Sequence, residues 1–204
     1  MRKKLGIMLM IIGLAAVLAS VGLLLYNRGE DRRAKENAEA VMPQIHDIIA
    51  QGKPEATHSP EDAPAAQQPQ TVPEMTEVII GGHAYIGYLY LPTLDRELPV
   101  MSEMSYAKLN LAPCRQQGTV LGGDLVISAH NYSYHFGSLD KLKIGDSLSF
   151  TDIDGIRYSY TVEELLTVKP TEVEAVMESG YDMVLYTCTY GGGSRLAVFC
   201  NIAQ

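Results

Sequence analysis

The longest uninterrupted apolar run lies near the start of the chain, where residues 5–26 carry no charged side chain. As a helix with a rise of about 1.5 Å per residue, this run would be about 33 Å long, which is enough to cross a hydrocarbon core of about 30 Å. We therefore predict a short tail over residues 1–4 and a transmembrane anchor over residues 5–26. A cleaved signal peptide is the alternative, with residues 17–19 as its cleavage site. Because the apolar run continues beyond those residues, the uncleaved anchor is favoured.

A helical period follows the anchor, because apolar side chains recur at spacings of three and four residues between residues 31 and 50. Pro43 falls within this pattern, and a proline inside a helix kinks or splits it. We predict a stalk helix over residues 27–50, with docking of this helix on the following domain as the alternative. Residues 51–77 contain five prolines and few large apolar side chains, so we expect them to form a flexible linker.

From residue 78 onward the chain changes to short apolar runs, several of them alternating, which glycine, proline and asparagine separate. Such runs are typical of β-strands, and many short strands with few helices indicate a closed barrel or a sandwich. We therefore expect a mostly β domain over residues 78–204. The predicted strands are 78–80, 85–91, 98–101, 124–130, 146–150, 156–168, 183–188 and 195–202, and the predicted short helices or turns are 102–110, 136–142 and 172–179.

Charge and cysteine content narrow the classes of function. The net charge is −8, and residues 1–35 carry seven basic and two acidic side chains, whereas residues 36–204 carry nine basic and twenty-two acidic ones. An acidic domain argues against nucleic acid as the partner. Three cysteines are too few for a disulfide scaffold, and they show no paired spacing for zinc, so we predict neither a metal nor a cofactor.

Three polar side chains at predicted strand ends suggest a chemistry. The run Met183–Tyr186 leads to Thr187 and Cys188, and a loop with three consecutive glycines separates Cys188 from Arg195, which opens the next strand. A hairpin would place this thiol beside this guanidinium, which can stabilise a thiolate or bind a carbonyl oxygen. His130 ends an earlier strand and can move protons, so the three residues fit thiol acyl transfer.

These residues resemble the sortases, which are membrane-anchored cysteine transpeptidases of Gram-positive bacteria with an eight-stranded β-barrel. The sortase signature is a strand ending in Thr-Leu-x-Thr-Cys, with arginine at the start of the next strand. Residues 184–188, VLYTC, match this signature except that Val184 replaces its first threonine. The sortase histidine is followed by Phe-x-x-Leu and Gly-Asp, which residues 136–139 and 145–146 supply. The resemblance extends from about Tyr85 to the C-terminus.

The resemblance implies a closed eight-stranded barrel and a function. Cys188 would attack the Thr–Gly bond of an LPxTG-like sorting signal in a surface protein, with His130 and Arg195 as the other catalytic residues. An amine of a peptidoglycan precursor or a pilin would then receive the acyl group. The resemblance also implies that Thr187 lines the substrate site. It further implies that residues 1–4 form a cytoplasmic tail and that the catalytic domain is extracellular on a single-pass anchor. The short loop between Cys188 and Arg195, together with the segment after His130, resembles that of class B or D sortases.

Several alternatives remain open at this point. Asn131 and Tyr190 are further substrate-binding candidates, although either could be an ordinary loop residue. His135 and, less strongly, His83 compete with His130 for the role of base. A membrane-tethered structural or adhesive β-domain with an inert Cys188 is the alternative function, and an L,D-transpeptidase is disfavoured because its His-Gly pair before cysteine is absent. Cys114 and Cys200 are either core residues or a disulfide pair.

Overall fold

The computed structural model of the protein describes residues 2–52, 74–189 and 191–203, so most of the predicted linker and the candidate Tyr190 lie outside the described residues. The described chain consists of one long helix followed by a mostly β domain. The elements are α1 (Arg2–Gln51), β1 (Val78–Ile80), β2 (His83–Leu91), β3 (Arg96–Met101), α2 (Tyr106–Leu109), β4 (Cys114–Gln117), β5 (Leu125–Ala129), β6 (Ser147–Asp152), β7 (Arg157–Val168), α3 (Glu174–Met177), β8 (Met183–Cys188) and β9 (Arg195–Ile202).

Eight strands close into a barrel in the order β2-β3-β4-β5-β8-β9-β7-β6, and β6 pairs back onto β2. The pairs β3–β4 and β5–β8 are parallel, and the other pairs are antiparallel. β1 adds to one end of β2 through a tight hairpin, whose turn residues Gly81 and Gly82 both have positive φ, as such turns require. The prediction of a closed eight-stranded barrel is confirmed.

Strand β8, which ends at Cys188, is buried on both faces. The inner face of β8 contributes Met183 and Leu185 to the barrel core, whereas the outer face contributes Val184 and Tyr186 to a second cluster that includes Val176 just before the end of α3. A strand covered on both faces reads as a continuous apolar run rather than an alternating one. This explains why residues 183–186 of the sequence show no polar position.

The helix α1 continues unbroken through Pro43, and its two halves have different surroundings. Its N-terminal part is long and apolar enough to cross a membrane, with a mean hydropathy of 2.7 and no buried residues in that window. Its C-terminal part packs on β2 and β3, so the stalk interpretation does not hold there and the docked alternative describes the helix. The helical spacing of one apolar stripe explains the docking. The buried members of the stripe are Ala34, Ala38, Val41, Met42 and Ile45.

Smaller differences from the predicted elements have local causes. The helix predicted over 102–110 is only the single turn α2, because Ser105 rather than Ser102 caps it and accepts a hydrogen bond from the Lys108 amide at 3.2 Å. The predicted helix over 136–142 is a single 3₁₀ turn, Leu139–Lys141. All three cysteines are free thiols, so a Cys114–Cys200 disulfide is not present.

Candidate active site

Three neighbouring strands end at the same rim of the barrel. β5 and β8 run parallel, and their last pair joins Ala129 to Thr187, so the residues that follow are His130 and Cys188. β8 and β9 run antiparallel, and their last pair joins Cys188 to Arg195. Since neighbouring strands lie about 4.8 Å apart, the backbone positions of the three predicted catalytic residues stand side by side, with Cys188 in the middle.

The strand register also decides which way the thiol and the guanidinium face. On β8, Leu185 belongs to the inner core and Tyr186 to the outer cluster, so Cys188, two residues beyond Tyr186, continues the outer series. Its partner Arg195 shares this face because directly paired residues of antiparallel strands lie on the same side. Burial raises the pKa of the Tyr186 phenol, and the nearby Arg195 opposes that rise.

The glycine-rich loop between Cys188 and Arg195 holds the guanidinium at the rim. Arg195 Nη1 donates hydrogen bonds to the carbonyl oxygens of Gly192 at 2.9 Å and Ser194 at 3.0 Å. The loop closes on itself through the Thr189 amide, which donates to the Ser194 carbonyl at 3.0 Å. Gly192 has a φ of 73°, a conformation that favours glycine, which explains the need for a flexible residue there.

His130 is half-buried directly after β5 and is held by its own loop. Its ring centroid lies 4.9 Å from that of Tyr132, and its carbonyl accepts a hydrogen bond from the Phe136 amide at 3.2 Å. Burial lowers the pKa of His130, and the carboxylate of Glu30 on α1 opposes this change. A lowered pKa keeps the imidazole neutral at pH 7, which is the form that accepts a proton.

A cavity of about 270 Å³ opens beside the thiol. Of the three predicted catalytic residues, only Cys188 lines this cavity. The volume is close to the lower end for small-ligand sites, which suits a few residues of an extended peptide. The lining residues are Asn131, Phe136, Gly137, Asp140, Thr187, Cys188, Thr189 and Leu196.

A family model for the sortase domain matches residues 89–203, which is more than half of the 204 residues. The chain belongs to the sortase family. Sortase-domain homologues are cysteine transpeptidases, so the family and the fold together support a transpeptidase of this general type. A comparison with curated proteins found no match.

Solved sortase structures share this barrel. Sortase C1 from Streptococcus agalactiae is 30% identical with a TM-score of 0.55, over 62% of this chain and 71% of that one. Sortase C from Streptococcus pneumoniae is 29% identical with a TM-score of 0.53, over 59% and 69% of the two chains. Sortase C1 from Streptococcus suis is 27% identical with a TM-score of 0.53, over 60% and 74%. These similarities confirm the resemblance on which the sequence interpretation rested.

In this sortase the side chain of Thr187 has a contact that the sequence did not indicate. Its hydroxyl donates a hydrogen bond to the carbonyl oxygen of Ala129 at 2.8 Å, and the residue is buried. The hydroxyl therefore ties the end of β8 to the end of β5, next to His130. Thr187 also lines the cavity, as Asn131 does, so both remain candidates for substrate binding.

Three cavity residues of this sortase lie outside both the site candidates and the motif over residues 136–139. Thr189 directly follows Cys188, and Leu196 directly follows Arg195. Their positions next to predicted catalytic residues could therefore have marked them in the sequence. Asp140 lies on the 3₁₀ turn Leu139–Lys141, which follows the loop of residues 130–138 (the histidine loop). No sequence feature marked it.

The rival base His135 is more deeply buried than His130 in this sortase. Its ring is buried and lies 5.5 Å from that of Tyr132. Burial and the neighbouring His130 lower the pKa of His135 to about 4, while Asp31 and the carbonyl of Leu111 act in the opposite direction. Among the described residues, neither ring nitrogen of His135 has a partner with good hydrogen-bond geometry. The Leu111 carbonyl is nevertheless close enough to favour the protonated ring. His83 begins β2 and is not at the rim that carries Cys188.

Proposed function

We propose that this sortase cleaves an LPxTG-like sorting signal through Cys188 and joins the released carboxyl group to an amine. The observation that supports the proposal is the meeting of three strand ends, where the backbone of Cys188 lies between those of His130 and Arg195. Thiol, proton carrier and oxyanion donor are the three parts that acyl transfer requires. We assign these roles to Cys188, His130 and Arg195 respectively.

The first half of the proposed reaction forms a thioacyl-enzyme. His130 takes the proton of the Cys188 thiol as the sulfur attacks the threonine carbonyl carbon, and the carbonyl oxygen becomes an oxyanion that the N–H groups of Arg195 stabilise. The C–N bond to glycine then breaks, and His130 gives a proton to the leaving amine. The threonine carbonyl is left joined to sulfur as a thioester.

The second half transfers the acyl group. The amine of a peptidoglycan precursor or a pilin lysine attacks the thioester carbonyl, and His130 takes the proton that this amine loses. The C–S bond breaks, so the Cys188 sulfur leaves and the new amide is released. Pilin is named as a substrate for the pneumococcal sortase C that this chain resembles, which supports a pilin amine as one of the two classes of acceptor.

We further propose that residues 5–26 anchor the protein as a single span, with residues 1–4 in the cytoplasm and residues 78–204 outside the cell. The apolar, unburied first half of α1 supports the anchor. The docked second half of α1 replaces the free stalk in this arrangement, so the site lies close to the membrane. The short loop between Cys188 and Arg195 supports a class B or D subclass, whereas the solved structures described above are of class C.

The experiment that tests the function uses the full chain in detergent micelles, because α1 packs on the barrel. A panel of LPxTG-like and variant peptides is mixed with oligoglycine or lysine-peptide acceptors, and products are measured by mass spectrometry. We expect one motif to be cut before its glycine and joined to an amine, with no product from Cys188→Ala.

Two controls accompany the panel. His130→Ala should lose about 10²–10⁴-fold in rate, as expected for the loss of a general acid–base group. His83→Ala, at the start of β2, should retain the wild-type rate. Product formation by Cys188→Ala, or an unprocessed panel combined with a Cys188 that resists alkylation, would overturn the proposal in favour of a structural β-domain.

A further inference from the structure

The anchor helix contacts the loop that carries His130. Asp31 Oδ1 accepts a hydrogen bond from the Tyr134 amide at 3.4 Å. Lys35 Nζ lies 5.9 Å from the centroid of the Tyr134 ring, and Arg96 of the barrel lies 4.9 Å from the same centroid. Tyr134 therefore links three parts of the molecule, namely the helix α1, the histidine loop and strand β3.

A second pair of contacts fixes the helix near this loop. Asn37 Nδ2 donates to the carbonyl oxygen of Leu111 at 2.9 Å, and the Tyr132 hydroxyl donates to Asn110 Oδ1 at 3.0 Å. Residues 110–111, which follow α2, thus connect α1 to Tyr132, whose ring packs on that of His130. The first turns of the docked helix consequently have a defined position over the histidine loop.

Glu30 lies in the helical turn that covers this loop. Its side chain is only 16% exposed, which is unusual for a carboxylate, and it accepts a hydrogen bond from Arg33 Nη1 at 2.9 Å. Its negative charge raises the pKa of Tyr132 and partly offsets the lowering of the His130 pKa by burial. A carboxylate near an imidazole stabilises the protonated ring, because the two charges attract.

The other ionisable groups around His130 do not replace this carboxylate. Cys188 ends β8, and Arg195 opens β9 on the far side of that thiol. Tyr132 packs on the ring from its own loop, and His135 packs on Tyr132. A charge on His130 disfavours a positive charge on His135. Asp31, also on α1, is bound to the Tyr134 amide.

We propose that Glu30 is a positioning residue for His130, a carboxylate that the docked anchor helix holds beside the loop of His130 and that favours the protonated imidazole. The proposal rests on the proposed role of His130 and gives the barrel site an acidic partner from outside the barrel. Glu30 is four residues beyond Tyr26, a rise of about 6 Å along the helix. The membrane anchor and the carboxylate near His130 therefore belong to one continuous helix. Release of α1 from the barrel would remove this partner.

The test is a titration of His130 in the full chain, held in detergent micelles and labelled with ¹³C at histidine Cε1. The His130→Ala spectrum assigns the signal by its absence. Glu30→Gln removes the charge with little change of shape, and Glu36→Gln removes a charge from an exposed site on the same helix, where Glu36 pairs with Arg32 at 2.7 Å. Because Glu30 favours the imidazolium, we expect the His130 midpoint to move to lower pH in Glu30→Gln and to stay unchanged in Glu36→Gln.

A third variant separates charge from packing. Glu30→Asp keeps the carboxylate and should titrate near the wild type. An unchanged midpoint in Glu30→Gln, an equal change in Glu36→Gln, or the same change in Glu30→Asp would overturn the proposal. The pH profile of peptide cleavage should follow the same order of variants. If the wild type cleaves no peptide, the proposed function fails, but the titration still decides whether Glu30 acts on His130.

Discussion

The two ends of the β8–β9 hairpin carry the same side chain in opposite surroundings. At one end Cys188 pairs with Arg195, is partly exposed and lines a cavity. At the other end Cys200 pairs with Met183 and is fully buried in the barrel core. Burial, with a smaller contribution from Glu163, raises the pKa of Cys200 to about 12. The contrast separates a partly exposed thiol at the last residue of β8, paired with an arginine, from a thiol enclosed in the core.

Cys114, on β4, extends the comparison to the third thiol. It is fully buried in β4, and burial raises its pKa to about 12 despite Lys108 nearby. A buried thiol of this kind is a small apolar core residue. Two of the three cysteines therefore serve packing, and Cys188 alone is at the site.

The largest expected difference is in thiol reactivity. At pH 8 a thiol with a pKa of about 12 is ionised in about one molecule in ten thousand, and only the thiolate is alkylated. We expect iodoacetamide to label Cys188 at least roughly a thousandfold faster than Cys114 or Cys200 in the folded protein.

Peptide mapping after timed labelling measures the three rates. Guanidinium chloride provides the control, because all three thiols should be labelled at similar rates once the chain unfolds. Similar rates in the folded protein would remove the distinction between the two hairpin ends.

A smaller expected effect concerns the cation at the reactive end. Replacing Arg195 by Ala should slow thioacyl formation by about 10²–10³, the usual cost of losing one oxyanion donor. Arg157, exposed at the start of β7, provides the matched control, and Arg157→Ala should act at nearly the wild-type rate. Single-turnover kinetics with the best peptide would measure both. An Arg195→Ala protein as fast as Arg157→Ala would show that the guanidinium serves only the loop.

Most strands of the barrel were predictable from the sequence because they are marked by apolar runs and by glycine turns. The hairpin with Cys188 and Arg195 was predictable for the same reason, since both residues lie within one local motif. β4 was missed because Cys114–Gln117 has a single apolar side chain, and only its backbone pairing makes it a strand. The order of the strands and the closure between β2 and β6 followed from the family resemblance rather than from the pattern.

The sequence pattern could not predict contacts between segments that lie far apart along the chain. His130 meets Cys188 through the parallel pairing of β5 with β8, which no local motif specifies. The docking of α1 depends on a surface that includes Tyr85 and Met101, whose strands lie far along the chain. The apolar stripe on α1 fits a free amphipathic stalk equally well, so sequence alone favoured the wrong alternative. The approach of Glu30 to the histidine loop follows from that docking.

The most direct measurement is the capture of the acyl intermediate on the full chain with the best peptide of the panel. Intact mass would be recorded after rapid acid quench, and the modified residue located by peptide mapping. We expect one adduct of the peptide up to its threonine, attached to Cys188, released by hydroxylamine as a thioester, and absent from Cys188→Ala. An adduct on Cys114 or Cys200, or one that persists in Cys188→Ala, would contradict the assignment of the nucleophile.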